Sequence, residues 1–130
     1  MQTLIDIGYF LVQYDKERDV VLIRRQARPF KTPDDLPQLF EALINAAKSY
    51  TGKPALVDLR LAKGNNSPLY EATIKSQVRR LGVLFPRSAV LVQSAAGRLQ
   101  VQRLARERGD SGQNVFTDEA EAFAFLDANR

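Results

Sequence analysis

The spacing of apolar and polar residues changes along the chain, and each change marks an element. Residues 9–14 and 20–25 are rich in β-branched and aromatic side chains, with the polar Asp15-Lys16-Glu17-Arg18-Asp19 between them, so this stretch predicts a β-hairpin. Thr32-Pro33-Asp34-Asp35 then has the form of a helix start: a threonine cap, a first-turn proline and two acids at the positive end of the helix dipole. Leu36, Phe40, Leu43, Ala47 and Tyr50 follow at helical spacing and share one face, which predicts a helix over 33–50 ending near Gly52. Pro54 opens a strand over 55–61, in which Val57, Leu59 and Leu61 alternate with Asp58 and Arg60.

The second half repeats this alternation. Residues 63–68 are turn formers, and Ser67-Pro68 again reads as a cap followed by a first-turn proline. Tyr70, Ile74, Val78, Leu81 and Phe85 form a helical stripe closed by Pro86. Residues 89–93 supply a strand, and Leu99, Val101, Leu104, Ala105 and Arg108 suggest a third helix that stops at Gly109-Asp110-Ser111-Gly112. A short strand over 114–116 precedes a last helix, with Thr117 as its cap, Asp118 and Glu119 in its first turn and Ala122, Phe125 and Leu126 as its buried set. The order is β-β-α-β-α-β-α-β-α. It predicts a single α/β domain with a mainly parallel sheet, right-handed crossovers and an N-terminal antiparallel hairpin. Val57, Leu59, Ile74, Val78, Leu91, Leu104, Phe125 and Leu126 are expected in one core.

Composition narrows the chemistry. The 130 residues contain neither cysteine nor histidine, which removes thiolate nucleophiles, Cys/His zinc sites, haem histidines and Ser-His-Asp triads. No apolar run approaches the roughly 20 residues of a membrane-spanning helix, and no secretory signal is visible, so a soluble cytoplasmic protein is expected. Residues 1–59 balance eight basic against eight acidic side chains, whereas residues 60–108 carry ten Lys or Arg against Glu71 and Glu107 alone. That basic middle has only Tyr70 and Phe85 as aromatics, and both fall on the predicted core stripe, so solvated helix faces are expected rather than a nucleic-acid surface.

Few residues stand out as a site. Asp58 lies toward the end of a predicted central strand, where open α/β sheets place their ligands, and the loop leaving it holds Lys63, Asn65, Asn66 and Ser67. Backbone N–H groups at the next helix start, with Arg60 and Lys63, could hold an anion, and Ser67 could carry a phosphate there. The plainer reading is a Gly64-Asn65-Asn66 turn, a capping Ser67 and an Asp58 paired with a neighbouring arginine. The loop has neither the order nor the spacing of a Walker motif. Asp34 with Asp35 and Asp118 with Glu119 belong to helix starts, and Asp15, Glu17 and Asp19 lack the glycine and closing glutamate of a calcium loop. No catalytic residue, metal or cofactor is assigned.

The hairpin, the helix, Ala55-Leu56-Val57-Asp58-Leu59-Arg60, the serine-containing loop, Ala89-Val90-Leu91-Val92, Asn114-Val115-Phe116 and the ending from Asp118 to Leu126 together resemble the STAS superfamily, nearest its SpoIIAA-like, anti-sigma-factor-antagonist branch. The resemblance implies helices chiefly on one face of the sheet and a non-catalytic role in regulatory protein–protein interaction, with a homodimer left open. In phosphorylated antagonists the loop reads Asp-Ser-Ser-Gly with the second serine as acceptor. Without gaps, Asn66 falls on the loop aspartate, Ser67 on the first serine and Pro68 on the acceptor, so the switch would need a one-residue slip. The alternative is a small-ligand or lipid-binding module of CRAL-TRIO-like topology. A phosphoacceptor receiver domain would need an acidic pair after its first strand and a late-strand lysine, and neither is present.

Overall fold

The computed structural model describes residues 1–28, 33–62, 68–107, 109 and 111–129. Its strands are β1 (Gln2–Asp6), β2 (Phe10–Asp15), β3 (Val20–Arg25), β4 (Ala55–Asp58), β5 (Ser88–Leu91) and β6 (Val115–Phe116), and its helices are α1 (Leu36–Ala47), α2 (Pro68–Leu84), α3 (Ala95–Glu107) and α4 (Glu119–Ala128). The six strands lie side by side in chain order. β1, β2 and β3 are antiparallel neighbours, and β3 to β6 run parallel. The expected α/β architecture is therefore present, with one strand more than the apolar pattern predicts.

That extra strand is β1. Its Thr3-Leu4-Ile5 run is short and its burial is partial, so it gives little periodic signal. Gly8 makes the connection to β2: its φ of 81° suits glycine, and its N–H donates to the Asp6 carboxylate at 3.0 Å. A register shift between Thr3 and Ile5 marks a bulge in this edge strand.

β3 shows why the sheet is buried on both sides. Val20-Val21-Leu22-Ile23 is a continuous apolar run, and alternation sends Val21 and Ile23 to one face and Val20 and Leu22 to the other. On the first face α1 and α2 pack with Phe10, Val12, Leu36, Phe40, Leu43 and Phe85. On the second, α4 lies over β4, β5 and β6, and Ala122, Phe123 and Leu126 meet Leu22, Leu56 and Leu91. In place of the single expected core there are two, divided by the sheet. The reason is the strand order: a sheet wound in one direction with right-handed crossovers keeps α1 to α3 on one side, and the chain must fold back to cover the other.

Several boundaries differ from the sequence reading. The first helix covers the expected span but is 3₁₀ over Pro33–Asp35 and Lys48–Tyr50, with α geometry between; Thr32 lies outside the described residues. β4 ends at Asp58, so Leu61 leaves the strand and is exposed. Asp118, not Thr117, caps α4, accepting from the Ala120 N–H at 2.8 Å. Phe123 is buried in α4 while Phe125 is half-buried against Phe116, because α4 lies over a sheet flank and buries a 122, 123, 126 face. Leu99, assigned to the inner stripe of the third helix, is exposed; Ala105 is the buried residue there. Among the described residues no helix is long and apolar enough to cross a membrane.

Candidate functional site

Asp58 ends β4 at the carboxyl edge of the parallel strands, beside Arg24 of β3 and Leu91 of β5. Alternation sets Asp58 with Leu56 on the face that α4 covers. The chain turns at once, and the Arg60 side chain folds back: its backbone N–H lies 3.0 Å and its Nε 3.1 Å from Asp58 Oδ1, and Nη2 lies 2.8 Å from Oδ2. The same guanidinium reaches Glu119 in the first turn of α4, with Nη1 3.6 Å from Oε2. Arg60 thus ties the end of β4 to the start of α4.

The electrostatics follow from this geometry. Burial alone would raise the Asp58 carboxyl, whose side chain is 12% exposed, but the Arg60 hydrogen bonds through side chain and backbone outweigh it, helped by the charges of Arg60 and Arg24. The net result is a carboxyl below its ordinary range. Arg60 is raised in turn, chiefly by its hydrogen bond to Asp58. Asp58 is therefore a fixed anion, matched by a charge-assisted fork, and Arg60 is already occupied.

Of the residues singled out in the sequence, the structure brings Asp58 and Arg60 together and adds Glu119, which sequence reasoning assigned only to a helix start. Lys63, Asn65, Asn66 and Ser67 lie outside the described residues. α2 begins at Pro68, as the Ser67-Pro68 pair predicts. The arrangement at Asp58 matches the plainer reading of an aspartate paired with a neighbouring arginine.

A second feature lies on the opposite face of the sheet. Between α2 and α3 runs a cleft with Val57 and Val90 on its floor, Ile74 and Val78 on one side and Val101 and Leu104 on the other; it is part of a void of about 970 Å³ that also takes in Phe10 and Phe40 beside α1 and Phe125, Leu126 and Asn129 at the end of the chain. Ser88, Asn114 and Arg87 stand at its lower end and Arg60 and Ser94 at its upper end. The floor residues are only half-buried, whereas Val21 and Ile23 on the same face are 0% and 1% exposed beneath α1 and α2. Of the eight residues expected in the core, Val57, Leu59, Ile74, Val78 and Leu104 are half-buried and line this cleft, and Phe125 is half-buried on the α4 side. Sequence periodicity identifies these positions as inward-facing, but cannot tell whether a neighbouring element closes over them.

Several arginines of the basic middle are held by local partners. Arg80 bonds Glu41 across α1 and α2, Arg103 meets Glu107 at 3.0 Å one turn along α3, and Arg87 donates to the Gly52 carbonyl at 2.6 Å. Comparison of the chain with protein-family models, with curated proteins and with solved structures finds no match.

Proposed function

We propose that this chain is a non-catalytic regulatory module of the SpoIIAA-like STAS kind, binding a protein partner through the surface around Asp58, Arg60, Lys63, Asn65, Asn66 and Ser67. The observation that carries this reading is the closed ion pair at the end of β4. A general base works best when its pKa sits near the operating pH, whereas Asp58 is held ionised by a fork of hydrogen bonds. Such a pair is suited to presenting a fixed charge pattern. The pair stands at the carboxyl edge of the parallel strands, at the start of the connection to α2. A phosphate on Ser67 would add roughly −1.5 to −2 charge beside the start of α2 and alter that surface without unfolding it.

Affinity capture from the native host on the immobilised full chain, read by mass spectrometry, tests this. One protein should be enriched on the wild type and depleted on folded Ser67→Asp and Lys63→Glu variants. Equal recovery on all three would remove the assignment of the surface.

The α2–α3 cleft favours a second reading, a small-ligand or lipid-binding module. The void to which it belongs, about 970 Å³, falls near the upper end of the roughly 300–1,000 Å³ of small-molecule sites, and Val57, Val90, Val78 and Leu104 give the cleft an apolar floor and sides. Organic extraction of the purified protein, with mass spectrometry of the extract, separates the two: a stoichiometric apolar molecule supports the ligand module, and its absence from protein purified without detergent counts against it.

A further inference from the structure

Resting on the second reading, an inference about the ligand follows from the charges around the cleft. Among its described lining residues four are arginines, Arg25, Arg60, Arg79 and Arg87, and none is acidic. They are not equivalent. Arg60 is matched by Asp58 and Glu119. Arg25 is buried at the end of β3, donating to the carbonyls of Tyr9 and Gln26. Arg87, at the lower mouth, donates to a neutral carbonyl and so keeps its full charge. Arg79 stands exposed on the α2 rim, on the stripe it shares with Gly82, Val83 and Pro86. Arg79 and Arg87 are thus the two exposed arginines of the described lining, and the floor of the cleft is apolar.

We propose that the cleft takes a free long-chain carboxylate, a single-chain fatty acid, with its tail along Val57 and Val90 and its head toward Arg79 and Arg87. Three features define this chemistry. The half-buried Val57, Val90, Ile74, Val78, Val101 and Leu104 give the cleft an apolar floor and sides, which suits a hydrocarbon chain. The guanidinium fork matches a carboxylate in plane and charge. No residue of the described lining is acidic. The ligand would supply the closure that α2 and α3 leave incomplete over β4 and β5.

The test uses the full chain, stripped of apolar material on a hydrophobic resin, titrated calorimetrically with octanoate, decanoate and dodecanoate below their micelle concentrations and with dodecanol. Affinity should rise by about fourfold for each methylene added, the gain expected for burying a CH₂. Dodecanol should bind at least tenfold more weakly than dodecanoate. Arg79→Glu, an exposed substitution, should weaken dodecanoate by tenfold or more and leave dodecanol unchanged, with the circular dichroism spectrum preserved. Dodecanol binding as tightly as dodecanoate would overturn the head-group assignment while sparing the ligand module. No binding by any member of the series would overturn both.

Discussion

At the scale of single residues, the Asp58–Arg60 pair has a measurable consequence. A carboxyl whose folded pKa lies below its unfolded value contributes stability that is present above the unfolded pKa, about 3.9, and is lost as pH falls through the folded value. Asp6, held down by the Gly8 N–H and then by Gln26, and Glu41, held down by Arg80, act in the same direction from exposed positions. Urea denaturation between pH 5 and pH 3 should therefore show falling stability, and Arg60→Ala should flatten that fall. An identical slope in the variant would mean that the pair is not formed. Arg60 itself titrates far above this window and adds nothing to it. A second residue-scale effect is at Gly8, where φ is 81° and an added Cβ would lie 3.0 Å from the tip of the Arg28 side chain. Gly8→Ala should cost about 1–2 kcal/mol for the left-handed backbone, since the arginine can move aside. A change within error in the urea midpoint would show that the β1–β2 turn is not held as described.

At the scale of elements, the two cores rank the helices. Leu126 is fully buried between α4 and the sheet, so Leu126→Ala should cost about 2–5 kcal/mol. Ile74 is half-buried on the wall of the cleft, and Ile74→Ala should cost less than about 2 kcal/mol. Equal losses in urea melts would show that α2 and α3 close over Ile74 in solution. The contrast also explains what was legible in the sequence. Strong signals come from β3, an apolar run buried on both faces, from the α1 face Leu36, Phe40, Leu43 and Ala47, which meets one core, and from the proline starts of helices, which the fixed φ of proline sets locally. β1 was missed because an edge strand has no apolar alternation to reveal it. Spacing alone points Leu61 and Leu99 inward, but a strand that stops at Asp58 and a helix that buries Ala105 leave both exposed. Asp58 and Arg60 were legible as neighbours two positions apart, whereas Glu119 is brought to them by the fold-back of α4.

At the scale of the whole molecule, a sheet wound in one direction leaves two candidate surfaces, its carboxyl edge and the α2–α3 cleft. Charge distribution bears on both. In the basic middle, Arg80, Arg103 and Arg60 are engaged by Glu41, Glu107 and Asp58, which lowers the charge they offer to a nucleic acid. Gel-shift titrations with double- and single-stranded nucleic acids at about 150 mM salt should show no tight, saturable complex; a salt-resistant, sequence-selective one would contradict this. The partner-binding account stands most directly on a single measurement: the dissociation constant of the captured partner for the wild-type chain against Ser67→Asp and Lys63→Glu, with folding checked by circular dichroism. The account predicts that both variants remain folded and that each weakens the complex by at least tenfold. Folded variants that bind with unchanged affinity would contradict it, and would reduce the β4–α2 connection to a turn before a capped helix.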